Sequence, residues 1–475
     1  MILLTIVTIS PTKLRWLILL AFPLAYLMSP PESAIYFAAS FLACGWLIYY
    51  VDSFREDTIT VWLVLFLFIL FYYFRYPILI GSPELFANIS PDNVKMLYLY
   101  GDRSGSLVAL KLSSFLFCTF CIVAGFLYGR RNCAKGITEY DPPLSPTRER
   151  SKIGNLATLA ILFLMITLGY VAYIYRIGQM GVSPGEPLPF RLKGVIFYAR
   201  HVFIPLMILA LICQASRMES RRLMGFGWVL LALHGVSDTL LRGSRISILL
   251  CALLVVFLYA SGGVKIRRKE ILVLAVIASG AIFLFPIVTD YRILQYQTNS
   301  VFFENIVNAF NFANKDVWAV LKSGIYSVYT RIPGLETAWA VSSLIDHPLG
   351  PRLAEIIRTP FGVTGYLNFN IYQVSAEAYT LFAPGFVGWF YLAGGWAGLA
   401  IGGVALALLC VWLPRWIYSG RLLWPQLANT FLLWVLFISL TDGALDNNFL
   451  LFATGLASLT ALEFFERAMK PGVSA

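Results

Sequence analysis

Long apolar runs separated by short polar and basic segments dominate the chain. A helix that crosses about 30 Å of hydrocarbon needs about 20 mostly apolar residues, and these runs approach or reach that length. The pattern therefore predicts an all-α polytopic membrane protein with about 12 transmembrane helices. The predicted spans are 14–28, 34–51, 59–74, 106–128, 154–175, 195–215, 226–241, 246–261, 271–288, 389–412, 425–441 and 448–464. The seventh and eighth are short enough to be either tilted or partly re-entrant.

One segment breaks the alternation of apolar runs and short connections. Between the ninth and tenth spans, residues 289–380 contain helical periodicity, first in 302–324 and again in 334–345. A structureless connection of this length is unusual inside a compact protein, which favours a small and mostly helical cap. We therefore divide the chain into spans one to nine (1–288), an extracytoplasmic cap (289–380), and spans ten to twelve with a cytoplasmic tail (381–475).

Composition and charge agree with a lipid environment. Charged residues make up 13% of the chain, against about 25% in soluble domains, so most of the chain cannot face water. With the N-terminus inside, the inside segments carry 20 Lys and Arg residues and the short outside connections carry 8. The positive-inside rule then places both termini in the cytoplasm and 289–380 outside. The basic residues occur in short clusters between spans rather than in a stripe, which argues against nucleic-acid binding.

The sharpest polar cluster joins the seventh and eighth spans on the predicted outer side. Asp238 and Arg242 are four residues apart on one helical face, where they can pair. Gly243 allows a tight reversal, and Arg245 follows it. Because guanidinium binds phosphate oxygens through a planar fork, we expect Arg242 and Arg245 to point at a lipid diphosphate in the outer headgroup layer. The alternative is that both arginines anchor helix ends to lipid headgroups.

Other polar residues within spans have simpler interpretations. Arg200 and His201 lie near the outer end of the sixth span, where a snorkelling anchor explains Arg200 as well as a functional role does. His234 is interpreted as a satisfied core histidine. The sequence contains no metal-ligand cluster and no phosphate-binding glycine loop, so we predict no metal, no nucleotide and no other cofactor.

An arginine-rich site facing outward over a membrane bundle suits transfer of a group from a lipid diphosphate carrier. Arginines stabilise the charge that develops on the leaving diphosphate, and a carboxylate or histidine accepts the proton of the attacking hydroxyl.

Three short motifs resemble those of the bacterial Wzy-type oligosaccharide repeat-unit polymerases, which are related to the O-antigen ligases. Residues 241–245 (Leu-Arg-Gly-Ser-Arg) are similar to the family's turn after a span. Residues 329–336 (Tyr-Thr-Arg-Ile-Pro-Gly-Leu-Glu) are like a stretch of its outer loop. Residues 377–388 resemble its acidic-aromatic-Gly-x-x-Gly segment. The motifs are short and degenerate, and it is their order and topology that make the resemblance moderately specific.

The resemblance implies a fold like the C-type glycosyltransferases. It also implies that the chain joins undecaprenyl-diphosphate-linked repeat units into O-antigen or surface polysaccharide, at the outer face of the bacterial inner membrane. Its partners would be this lipid-linked oligosaccharide, membrane lipid and a chain-length-regulating co-polymerase. The candidate residues comprise three catalytic groups and five diphosphate-binding arginines: Glu336, Glu377 and His347, and Arg242, Arg245, Arg331, Arg352 and Arg358.

Three other functions remain open from the sequence. An O-antigen ligase shares the architecture and chemistry, but this chain has Glu377 and Tyr379 where ligases usually carry a His-Asn pair, and His347 lies about thirty residues upstream. A flippase or transporter of lipid-linked oligosaccharide is expected to place charges near the bilayer midplane and to show two related halves. A non-catalytic scaffold would tolerate loss of the arginines.

Overall fold

In the computed structural model, the described part of the chain is about 90% helical and contains no strand. The structure describes residues 11–51, 58–81, 103–130, 148–178, 188–189, 192–242, 246–264, 334–344, 348–358, 362–370, 385–420, 422–441 and 445–468, with isolated positions between 286 and 324. The predicted ninth span and the predicted helix at 302–324 therefore lie almost entirely outside the described residues.

The helices before the cap follow the predicted spans closely. They are α1 (Pro11–Leu27), α2 (Ala34–Tyr50), α3 (Ile59–Phe68), α4 (Arg75–Gly81), α5 (Arg103–Gly129), α6 (Arg148–Ile174), α7 (Leu192–Tyr198), α8 (Ile204–Arg217), α9 (Arg221–Arg242) and α10 (Ile246–Ala260). Two wide π-helical turns, Ile69–Tyr73 and Ala199–Phe203, join α3 to α4 and α7 to α8.

The described part of the cap is also helical, and three long helices follow it. The cap contains α11 (Leu335–Leu344), α12 (Arg352–Ile357) and α13 (Gly362–Asn370), and the last helices are α14 (Gly385–Ile417), α15 (Pro425–Thr441) and α16 (Leu445–Ala468). The helix predicted at 334–345 is thus confirmed as α11.

The apolar helices confirm the membrane class at the level of length and composition. Within the described residues, seven helical segments are long and apolar enough to cross a membrane. Four shorter apolar helices fall where spans one, eight, eleven and twelve were predicted: Arg15–Leu27, Leu249–Ala260, Pro425–Thr441 and Phe449–Phe464.

The helix ends collect on two opposite faces of the bundle. On one face, Arg217 at the end of α8 donates to the Gln426 side-chain oxygen at the start of α15, over 3.0 Å. One turn into α15, Asn429 donates to the hydroxyl of Ser261, just past α10, over 3.2 Å. Glu463, near the end of α16, accepts a backbone N–H from the segment before α15. We call this the tail face, because the C-terminal helix ends there.

The opposite face, which we call the cap face, carries the buried side of α11. Leu335, Ala338 and Val341 are at most 1% exposed, because α11 packs between α5 and α14. Gly385, at the start of α14, has a φ of +65° and lies against the hydroxyl of Thr337. The described part of the cap is therefore joined to the spans through buried contacts rather than standing apart from them.

A buried arginine lies beneath the start of α11. The span predicted to end at residue 74 continues as helix to Gly81, and Arg75, the first residue beyond that predicted end, is 0% exposed. A Cβ on Gly334 would overlap the carbonyl oxygen of Phe71 and lie 3.1 Å from Arg75 Nη1. The glycine permits a close approach between the cap and the π-turn, which any side chain would prevent.

Replacing Gly334 with alanine is therefore expected to lower the free energy of unfolding by about 1–3 kcal/mol, the usual cost of overpacking a filled site. Thermal unfolding of the purified protein in detergent measures this loss. Gly81→Ala is the matched control, because a Cβ there meets nothing within 4 Å. Equal midpoints for the two variants would contradict the close approach.

Candidate functional site

A buried carboxylate lies near the cap-face end of α9, and two arginines pair with it. Asp238 is 1% exposed, and its Oδ1 lies 2.8 Å from Nη2 of Arg200. Arg200 itself is 4% exposed. A charge within a span is costly unless it is paired or has a function, so this pair is the first place to look for a site. The interpretation of Arg200 as a snorkelling anchor is wrong, because its side chain turns inward.

The π-helical turn at Ala199–Phe203 brings two neighbouring residues to the same carboxylate. In a regular α-helix consecutive side chains point about 100° apart, whereas a π-turn inserts one extra residue into the turn. Next to Arg200, His201 has its Nδ1 3.4 Å from Asp238 Oδ2. Such turns are frequent at functional sites, and this one positions the cation and the imidazole together.

Helix α10 supplies a hydroxyl to the same group. Ser247, the second residue of α10, donates its hydroxyl to Asp238 Oδ2 over 2.7 Å. His234 is 4% exposed one turn earlier on α9, and its carbonyl oxygen accepts the Ser237 hydroxyl over 3.0 Å. The prediction that His234 is a buried histidine is confirmed.

Arg242 closes the cluster at its most exposed edge. Its Nη1 lies 3.6 Å from Asp238 Oδ2, which confirms the predicted pairing four residues apart. Its Nε donates to the carbonyl of Gly178 over 3.4 Å, and its guanidinium lies 5.0 Å from the ring centre of Phe197. The side chain is 13% exposed, so it is turned towards Asp238 and not extended into the headgroup layer as predicted.

Tyr291, just beyond the predicted ninth span, also reaches this end of α9. The hydroxyl of Tyr291 donates to the carbonyl of Leu240 over 3.0 Å, and Tyr291 is 2% exposed. The segment that leads into the cap therefore packs against the last turn of α9.

The charges of this cluster leave an excess of one cation. Arg200 and Arg242 carry two positive charges against the one negative charge of Asp238, when the histidines are counted as neutral. In surroundings of low dielectric constant such an excess attracts anions far more strongly than it does in water. We call Arg200, His201, His234, Asp238 and Arg242 the Asp238 cluster.

Of the other predicted site residues, the two whose side chains the structure describes lie outside the Asp238 cluster. Arg352 begins α12 and Arg358 follows its end, and both side chains are exposed. Glu336 lies in the first turn of α11, and the structure does not describe its side chain. Four more candidates lie outside the described residues: Arg245, Arg331, His347 and Glu377.

Among the described residues, no group of three or more His, Cys, Asp or Glu side chains is placed to hold a metal ion. Independence from metal and from nucleotide remains a prediction. The chemistry that the described residues offer is anion binding by two guanidiniums that one carboxylate holds in position.

Removing the Ser247 hydroxyl tests how tightly the carboxylate is held. Ser247→Ala is expected to lower the free energy of unfolding by about 1.5–3 kcal/mol, the range for a hydrogen bond to a charged group. Ser237→Ala, whose hydroxyl bonds a neutral carbonyl on its own helix, is expected to cost about 1 kcal/mol or less. Thermal unfolding in one detergent compares the two, and an equal cost would contradict a bond to an ionised Asp238.

No family model, characterised protein or solved structure matches this chain.

Proposed function

We propose that this chain is a membrane glycosyltransferase that polymerises undecaprenyl-diphosphate-linked oligosaccharide repeat units into O-antigen or surface polysaccharide. The observation that carries the proposal is the Asp238 cluster, a buried group with excess positive charge at the cap-face ends of three helices. The order of the three sequence motifs supports the same function. A diphosphate is an anion of the size and geometry that paired guanidiniums bind.

The proposed reaction needs a stabilised leaving group and a base. The hydroxyl oxygen of one repeat unit attacks the anomeric carbon of another, and the bond from that carbon to the diphosphate oxygen breaks. The undecaprenyl diphosphate leaves with the bonding electron pair, and Arg242 stabilises the charge that develops on it. The proton of the attacking hydroxyl passes to one of the candidates Glu336, Glu377 and His347.

Asp238 has a positioning role in this scheme. Two guanidiniums, an imidazole and a hydroxyl already surround its two oxygens, so it is poorly placed to accept a proton from substrate. It instead holds Arg200 and Arg242 at a fixed separation, which lowers the reorganisation needed when charge develops on the diphosphate.

The proposal includes 12 spans, a C-type glycosyltransferase fold and a cap face that lies outside the bacterial inner membrane. The excess of basic residues in the connections assigned to the inside supports this orientation. It places the Asp238 cluster in the outer leaflet, where a translocated lipid-linked oligosaccharide presents its diphosphate.

Cysteine labelling is expected to place the two faces on opposite sides of the membrane. Cys133, a native cysteine between the fourth and fifth predicted spans, is first replaced by serine so that it does not react. In this background, Glu355→Cys on exposed α12 should react with a membrane-impermeant maleimide in intact cells. Ser419→Cys, exposed past the end of α14, should react only after the membrane is breached. The reverse result would contradict the topology, and with it the outward-facing site.

Loss of the gene separates this function from its alternatives by electrophoresis of surface glycans. The proposal predicts accumulation of species that carry a single repeat unit. Unattached long polymer would indicate a ligase, and absence of all translocated repeat units would indicate a flippase. An unchanged glycan pattern would contradict all three functions.

A further inference from the structure

A lysine lies exposed within a candidate span on α5, a helix that contributes no residue to the Asp238 cluster. The candidate span begins at Gly105, and Lys111 lies six residues further along it. At 1.5 Å per residue, this places Lys111 about 9 Å from the start of the span. Its ammonium nitrogen lies 5.2 Å from the ring centre of Trp396, on α14. A cation in contact with lipid is costly, so its position needs an explanation.

The aromatic support of this lysine is itself fixed in place. The ring of Phe115, one turn further along α5, meets Trp396 edge-to-face at a centroid distance of 5.2 Å. Trp396 and Phe115 are 42% and 39% exposed, so both rings are packed on one side and open to lipid on the other. The ammonium therefore rests on a rigid surface instead of moving freely at the end of a flexible side chain.

A break in α14 creates this arrangement. Gly394 and Gly395 leave the helical conformation, and Gly395 has a φ of +58°, which side chains other than glycine rarely adopt. Two residues of the cap pack against the break. The N–H of Leu349 donates to the carbonyl of Leu392 over 2.8 Å. Pro348 Cγ lies 3.3 Å from where a Cβ on Gly395 would be. Trp396 is the first residue after the break, so its direction is set by the break and by the cap.

Below the lysine an apolar stripe continues towards the tail face. On α5 it consists of Phe115, Ile122 and Phe126, which are 39%, 55% and 50% exposed. These positions recur at helical spacing on the side that bears Lys111. The surface thus combines Lys111 near one end of the span with a strip about 16 Å long, eleven residues of helix, that matches a lipid chain. At the other end of the strip, the guanidinium of Arg130 lies 4.3 Å from the ring centre of Phe126.

We infer that Lys111, Trp396 and Phe115 bind the phosphate of an anionic phospholipid, with its acyl chain along the α5 stripe. The ammonium has three donors, and resting one side on the indole leaves donors for phosphate oxygens. An anionic headgroup balances the single charge of Lys111, whereas a zwitterionic headgroup brings its own ammonium to compete for the phosphate. This inference does not depend on the proposed function, because none of its residues belongs to the Asp238 cluster.

Binding of phosphatidylglycerol to the purified full-length protein tests the inference. Delipidated protein in neutral detergent is titrated with phosphatidylglycerol or phosphatidylethanolamine, and bound lipid is counted by native mass spectrometry. Lys111→Leu is expected to weaken phosphatidylglycerol binding roughly tenfold, about the value of one charge-assisted contact, and Lys111→Arg to retain most of it. Trp396→Leu should also weaken binding, because it removes the support of the cation.

Two control variants isolate the site. Trp412→Leu removes another lipid-facing indole of α14, 66% exposed, and Lys322→Leu removes an exposed cation of the cap. Both variants should bind phosphatidylglycerol with an affinity within about twofold of the parent protein, well short of the tenfold loss, about 1.4 kcal/mol, expected of Lys111→Leu. Lys111→Leu places an apolar side chain on a lipid-facing surface, so its folding should be intact, which its thermal midpoint checks.

Three results would overturn the inference. One is unchanged phosphatidylglycerol binding by Lys111→Leu, and another is equal affinity of the parent protein for the two phospholipids. The third is Lys111-dependent binding of a polyprenyl diphosphate without Lys111-dependent binding of phosphatidylglycerol, which would make this surface a substrate site.

Discussion

Replacing Asp238 with alanine is expected to lower the free energy of unfolding by about 3–5 kcal/mol and to slow polymer formation at least about tenfold. The substitution leaves Arg200, which is 4% exposed, and Arg242 without their shared carboxylate inside the bundle. An uncompensated buried charge costs far more than the pair itself contributes. Thermal unfolding and glycan electrophoresis at matched membrane levels measure the two effects.

A second substitution separates the structural effect of Asp238→Ala from the functional one. Arg200→Leu in the same chain removes the stranded charge, so the double variant should recover most of the lost stability. It should not recover polymer formation, because Arg242 then lacks the carboxylate that positions it. Full activity of the double variant would show that the cluster is a structural ion pair with no part in the reaction.

Arg242→Ala is expected to slow polymer formation about ten- to a hundredfold. A charge-assisted bond contributes about 1.5–3 kcal/mol, and each 1.36 kcal/mol of transition-state stabilisation is about tenfold in rate. Arg242→Lys should recover only part of this loss, since lysine keeps the charge and lacks the planar fork. Arg245→Ala and Arg245→Lys are expected to follow the same order.

The lysine variant distinguishes diphosphate binding from simple anchoring. Lysine snorkels as well as arginine does, so an anchor predicts full activity for Arg242→Lys. Arg222→Ala serves as the control, because Arg222 is exposed at the tail-face end of the same helix and should tolerate the change. Full activity of Arg242→Ala would remove this end of α9 from the site.

The long apolar helices were predictable from the sequence because their length and polarity follow the simple rule that a lipid environment imposes. The predicted span 425–441 coincides with α15, and 106–128 lies within α5. The break at Gly394 and Gly395 was not predictable, because glycine is common in transmembrane helices and the surrounding run is uniformly apolar. Its geometry depends on contacts with Pro348 and Leu349, which are distant in sequence.

The candidate site was predictable in part. The pairing of Asp238 with Arg242 follows from a spacing of four residues on one helix. The pairing with Arg200 joins two helices through a π-turn, and π-turns leave no clear mark in a single sequence. The available signal was the neighbouring Arg200 and His201 inside an apolar run, where two adjacent polar residues are costly enough to require a partner.

The most direct test is repeat-unit transfer by the purified protein in phospholipid vesicles. Undecaprenyl-diphosphate-linked repeat units are supplied as both donor and acceptor, in the presence of a metal chelator and without nucleotide. The account predicts products that lengthen by whole repeat units, with release of one undecaprenyl diphosphate for each bond formed, and lengthening at least about tenfold slower with Arg242→Ala/Asp238→Ala protein. Movement of intact lipid-linked units across the bilayer without lengthening, or lengthening that the double variant sustains at the parent rate, would contradict it.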